Sequence, residues 1–249
     1  MKQMLLLVVV WLVATSSNFS AAEAQEAKQA KKSKQTNQAQ NKPKKASPMD
    51  KVEDDPKLPR VLLIGDSISI GYTLPVRKLL EGKANVHRPQ TNCGPSTKGV
   101  AELEKWLGKK DWDVIHFNFG LHDLKYMGPN GENLADPKGE TSAQQVPPGE
   151  YEENLRKIVE RLQQTKAKLI WRNTTPVPEG AKGRVVGDSK KYNEIAAKVM
   201  QEADIPTDDQ YTYCMEHPEF QRKANVHFTP EGSQGLGQQA ANAILEALK

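Results

Sequence analysis

Four consecutive aliphatic residues, Val61-Leu62-Leu63-Ile64, are led in by Pro59-Arg60 and closed by Gly65. So short and so apolar a run fits a strand covered on both faces, as the central strands of parallel sheets are. Similar short strands are predicted at Ala84-Asn85-Val86-His87, over Asp113 to Phe119, over Ala167 to Trp171, and within Ile205 to Tyr211. Between them lie helical stretches: Leu74 to Leu80, Val100 to Leu107, a helix opened by Pro148-Gly149-Glu150, and Tyr192 to Ala203. A last helix runs from Pro230 through Leu248 with Thr229 as its cap. Strands alternating with helices predict an α/β domain built on a parallel sheet of about five strands, with helices on both faces. Residues 125–148, rich in Gly and Pro, form a loop of a length that is usually functional or mobile in a compact domain.

The chain ahead of this pattern is of a different kind. Lys2, the apolar run Met4 to Ala14 and Ala22-Glu23-Ala24 before Gln25 read as a signal peptide over residues 1–24, so export from the cytoplasm is expected. Residues 25–57 are Lys, Gln, Ala and Asn with few large apolar side chains; they are expected to be a disordered linker, with the domain proper at 58–249. Ten of the 35 basic and six of the 31 acidic residues fall in 1–57, leaving 25 of each sign in 58–249. A formally neutral domain argues against nucleic acid as a partner. The basic linker can rest weakly on an anionic surface or act as a solvated spacer. Cys93 and Cys214 are the only cysteines, and either a disulfide or two free thiols is compatible with an exported chain. No Cys/His cluster has metal-ligand spacing, so no metal is expected.

Gly65-Asp66-Ser67 follows the first strand at its carboxyl end, where open α/β sheets bind ligands. Asp66 and Ser67 can be simple helix caps. They can equally present a hydroxyl, which needs a base such as histidine before it becomes a nucleophile. Of five histidines, His87 and His116 lie in predicted strands and read as packed side chains. His217 gives no signal, and His227, in a loop just ahead of the last helix, is the best placed base. Asn118, Thr174 and Thr175 end strands on the same rim and read as partners of local backbone; Trp106 and Trp171 read as core. Arg184 and Lys125 can meet an anionic substrate or be plain solvated charges.

Gly65-Asp66-Ser67-Ile68-Ser69 resembles the first block of the SGNH (GDSL-type) hydrolases. Gly94 is similar to the second block, Gly120-Leu121-His122-Asp123 to the third, and His227 to the fifth, in the family's order over about residues 58–249. The resemblance implies a flavodoxin-like three-layer α/β/α domain that hydrolyses acyl or acetyl esters, on carbohydrate or lipid, with no organic cofactor and as a monomer. It implies Ser67 as nucleophile, His227 as base, and Ser67, Gly94 and His122 as oxyanion donors. Two positions depart from the family pattern. His122 stands where Asn is usual, although a neutral imidazole can still donate one hydrogen bond. Ala224 stands where the family has its acid, three residues before the histidine. Asn225 can hold the ring through its carbonyl oxygen without adding charge, and Asp208, Asp209 and Glu231 are other candidates. The alternative reading is a ligand-binding module on the same fold whose chemistry is weakened or lost.

Overall fold

The computed structural model describes residues 46–249. The expected leader and the linker up to residue 45 lie outside the described residues. The aliphatic run is β1 (Arg60–Ile64), with every residue after Arg60 buried. It pairs in parallel with β2 (Asn85–His87) on one side and β3 (Val114–Phe117) on the other. β6 (Lys168–Arg172) and β7 (Thr207–Asp208) complete a five-stranded parallel sheet in the order β2-β1-β3-β6-β7. Chain order reverses at β1, so the carboxyl ends of β1 and β3 open onto the crevice such sheets use for ligands. The short strands β4 (Tyr126–Met127) and β5 (Ala143–Gln144) form a small antiparallel pair inside the stretch expected to be an irregular loop.

Helices cover both faces, as expected. α1 (Ser67–Leu79) packs on α6 (Pro230–Ala247). α2 (Ser96–Leu107), α3 (Pro148–Gln163) and α4 (Asp188–Glu202) pack in succession. Successive β3 side chains divide between the layers because strand side chains alternate. His116 meets Tyr72 of α1 edge-on, and Phe117 meets Trp171 of β6. Trp171 and Trp106 are buried in the core.

Two expectations are corrected and one element is added. α1 begins at Ser67 rather than near Leu74 and runs through Pro75. A short helix, α5 (Gln210–Glu216), follows β7, with the Asp209 carboxylate accepting from the Thr212 N–H. The folded unit also begins before residue 58. The Asp55 N–H donates to Asn85 Oδ1, and Asp54 bonds His87 Nε2 at 2.6 Å and Lys110 Nζ at 2.8 Å. Arg77 donates to the carbonyls of Val86, Ser47 and Asp50. Low hydrophobicity predicted disorder there, but polar partners on the domain hold residues 46–57 as a strap. Cys93 and Cys214 are free, buried thiols, pushed up to about 11 and about 12 by burial.

Candidate active site

Asp66 leaves β1 in an extended conformation and caps α1 with its side chain, accepting from the Ile68 N–H at 3.0 Å. The cap is therefore Asp66 alone, and Ser67 keeps its hydroxyl for other work. Its N–H lies in the first turn of α1, where backbone donors have no helical partner and the helix dipole is positive. Asp66 is buried against the fully buried Arg172 at 3.7 Å. Arg172 in turn holds the Asn118 side chain, whose Nδ2 donates to the Arg172 carbonyl at 2.7 Å. A second buried guanidinium, Arg88, donates to Ser69 Oγ, Thr73 Oγ1 and the carbonyls of Gly65 and Thr91. It thus ties the turn after β1 to the loop after β2. Nothing in the sequence pattern singled out either arginine; a charged residue at the end of an apolar strand was the available signal.

Ser67 Oγ stands 2.9 Å from His227 Nε2, across 160 residues of chain. On the other side of the ring, Asn225 Oδ1 is 2.7 Å from Nδ1 and 2.9 Å from the His227 backbone nitrogen. A backbone N–H can only donate, so the side-chain atom facing it must be the amide oxygen. The same oxygen then accepts from Nδ1, which puts the ring proton there and leaves the Nε2 lone pair toward Ser67. The arrangement can pass the serine proton to the histidine. Burial holds His227 below the usual imidazole range, and the Arg222 and Arg184 charges add to this against the opposing pull of Asp66. The ring is thus neutral near pH 7.

The loop that carries this pair is fixed by the bonds Arg222 N–H to His227 O and Thr229 N–H to Phe220 O. Within it Ala224 has a left-handed backbone, φ 51°. The other carboxylates considered as substitutes lie elsewhere. Asp208 is bonded to buried His116 and to Gln210, and Asp209 to Asn173 and Thr212. Glu231 sits in the first turn of α6. Among the described residues, the hydrogen bonds of the His227 ring go to Ser67 and Asn225.

The expected oxyanion donors divide. Gly94 lies beside the turn after β1, since the Cys93 N–H donates to the Gly65 carbonyl. Its own N–H, however, is taken by Asn92 Oδ1 at 2.9 Å, which corrects its assignment as a free donor. His122 has no hydrogen bond to its ring among the described residues and is held below the usual imidazole range by burial. Its neighbour Asp123 is turned inward: Oδ1 accepts from the Ser96 N–H and so caps α2, and burial pushes the carboxyl up to about 7. Gly120 precedes them with φ 155°, and a Cβ there would meet Thr174 Oγ1 at 2.0 Å. Thr174, Thr175 and Asn118 are buried; Thr174 Oγ1 donates to the Phe119 carbonyl and Asn118 Nδ2 to the Arg172 carbonyl, so both bond backbone of the neighbouring strand end rather than the local backbone expected. Among the described residues no cluster of His, Cys, Asp or Glu could hold a metal ion, and no helix is long and apolar enough to cross a membrane. A groove of about 670 Å³, lined in part by Val177, Tyr211 and Met215, reaches Ala224 but does not include Ser67 or His227.

Residues 63–234 match the model of the GDSL-like lipase/acylhydrolase family. The chain belongs to that family. As a GDSL-like acylhydrolase it is a hydrolase of ester bonds, and solved structures share its fold. A lipase/acylhydrolase from Enterococcus faecalis superposes with a TM-score of 0.62 at 19% identity, covering 75% of this chain and 95% of its own. An acetyl xylan esterase, AlAXEase, gives 0.59 at 16% identity, covering 74% and 99%. The acetylxylan esterase Axe2 from Geobacillus stearothermophilus gives 0.57 at 17% identity, covering 76% and 93%. No curated protein sequence matches this GDSL-like acylhydrolase.

Proposed function

We propose that this acylhydrolase is an exported serine esterase that works through a Ser67–His227 dyad steadied by Asn225. The observation that carries the reading is the 2.9 Å contact of Ser67 Oγ with an Nε2 whose lone pair is oriented by Asn225. As Oγ attacks the ester carbonyl, its proton moves to Nε2. The tetrahedral oxyanion is met by the Ser67 N–H at the start of α1 and by the ring N–H of His122. His227 then protonates the departing alkoxide, leaving an acyl group on Ser67, and water activated by the same ring releases the acid. Asn225 supplies orientation without charge, so the imidazolium formed in each step is less stabilised than beside a carboxylate. The leader-like residues 1–24 support export. Acetyl esters of carbohydrates are the first substrates to try, because two neighbours of the same fold are acetyl xylan esterases.

Fluorophosphonate labelling of the full chain, read by intact mass and peptide mapping, tests the reading. One adduct on Ser67 is expected, and none in Ser67→Ala or His227→Ala proteins that melt like the wild type. A well-folded wild type that takes no label over hours would favour a binding module on this fold and overturn the esterase.

A further inference from the structure

Four cations stand on or beside the segments that build the rim, and each is bonded only to neutral oxygen. Lys98 Nζ donates to the Asn92 carbonyl at 2.8 Å, and Lys125 Nζ to Asn133 Oδ1 at 2.8 Å. Arg184 Nε donates to the Leu121 carbonyl at 3.1 Å, and Arg222 Nε to the Phe228 carbonyl at 3.0 Å. Among the described residues none of the four has a carboxylate partner. Several arginines and lysines elsewhere on the surface do: Arg156 pairs with Glu152 and Glu202, Arg161 with Glu104, and Lys191 with Asp188. Asp66 and Asp123, at the ends of β1 and β3, face inward as helix caps. The rim thus carries four cations without a direct carboxylate partner.

Lys125 is the most buried of the four, with its ammonium held by Asn133. Arg184 is half-buried, and its segment is pinned from two sides. The Gly183 carbonyl accepts from the Tyr126 N–H at 2.8 Å. Gly183 itself has φ 63°, and the space a Cβ would fill is occupied by the Leu134 backbone. On the other flank Gly180 abuts Ala224, so the segment spans from the loop of His122 to the loop of His227. With Nε committed to Leu121, Nη1 and Nη2 make no hydrogen bond among the described residues. A guanidinium anchored by one edge presents the other as a preformed fork for a planar oxyanion. The charge is felt at the site, since Arg184 contributes to lowering both His122 and His227.

We propose that the natural ester carries a carboxylate close to the scissile bond, as an acetylated uronic acid does, and that Arg184 receives it. This rests on the esterase reading above and adds the substrate's charge. Lys98 and Arg222 raise the local concentration of such a substrate without fixing its pose.

The test compares kcat/KM of the full chain on mono-O-acetyl glucuronic acid, mono-O-acetyl glucose and an O-acetyl glucose sulfate. The acidic sugar is expected to be preferred over glucose by about tenfold or more, mostly through KM, as one charge-assisted bidentate contact allows. In Arg184→Gln the acid-to-neutral ratio is expected to fall toward one, and in Arg184→Lys to be partly kept. Raising salt should lower the wild-type ratio, a readout that survives if a variant fails to fold. A wild-type ratio near one, a ratio untouched by Arg184→Gln, or a preference for the sulfate alone would each overturn the carboxylate assignment. If none of the three is turned over and the fluorophosphonate takes no label, the esterase reading has failed; in either case calorimetric titration with glucuronate decides the anion site separately. Binding that Arg184→Gln abolishes upholds the site; no binding to the wild type removes it.

Discussion

Removing the Asn225 side chain isolates what a neutral support is worth to a serine–histidine pair. Its Oδ1 accepts from the His227 Nδ1–H at 2.7 Å and from the His227 backbone N–H at 2.9 Å. Asn225→Ala deletes both bonds and lets the ring rotate or carry its proton on Nε2, where it cannot accept from Ser67. Two neutral hydrogen bonds at about 1 kcal/mol each give about 2 kcal/mol, or roughly thirtyfold in kcat/KM at 1.36 kcal/mol per decade. The loss should fall well short of the roughly 10⁴-fold seen when a buried triad aspartate is made neutral, because Asn225 is exposed and brings no charge. The assay is kcat/KM on 4-nitrophenyl acetate, with a thermal melt to show that the fold is intact. A change below threefold would mean that something else holds the ring, and a loss near 10⁴-fold would refute the two-bond reasoning. Asn225→Asp gives the complementary sign. A carboxylate beside Nδ1 favours the imidazolium and raises the pKa of His227. Since the base acts only when neutral, activity is then lost earlier as pH falls. An acid limb that does not move upward would contradict the placement of Asn225.

Three further outcomes follow from the same geometry. In the wild type, burial keeps His227 low, so kcat/KM for a neutral ester should rise with pH along an acid limb whose midpoint lies below that of an ordinary imidazole; a midpoint above it would show a compensating negative charge. His122→Ala should lower kcat by about 10²-fold with little change in KM, as expected for one oxyanion donor, while His122→Asn restores much of the loss; equal effects of both variants would remove His122 from that role. Gly120→Ala drives a methyl group into Thr174 Oγ1 and should cost about 1–3 kcal/mol as overpacking, visible as a lowered Tm; an unchanged melt would mean that the loop relaxes freely.

How much of this was legible in the sequence depends on whether a residue's partner is local. Val61 to Ile64 announces its own burial, and the Thr229-Pro230 start of α6 carries its own cap. The start of α1 was hidden, because Ser67-Ile68-Ser69-Ile70-Gly71 is a poor helix sequence and Pro75 suits a first turn better than a middle. What makes it helical is tertiary. Ser69 and Thr73 hydroxyls are satisfied by Arg88, and the Pro75 ring fits against Gly237 of α6. In the site, Ser67 and His227 stood out by residue type and position, and Asn225 by its distance along the chain. The engagement of the Gly94 N–H by Asn92, two residues away, is a turn geometry that residue types alone do not specify. The inward turn of Asp123 toward Ser96 and the burial of Arg172 beneath Asp66 require knowing which loops face each other.

The strap of residues 46–57 bears on how the molecule behaves when crowded. A parallel sheet of five strands ends in two margins whose backbone groups can recruit a strand from another chain. At one margin β7 offers only two residues. At the other, Arg77 covers the Val86 carbonyl of β2 and grips the strap through Ser47 and Asp50, while Asn85 takes hold of Asp55 and Leu58. Trimming the chain to residue 58 would therefore uncover that margin and leave copies of the domain freer to add to one another edge to edge. A stretch that reads as spacer is expected to guard that margin against edge-to-edge addition.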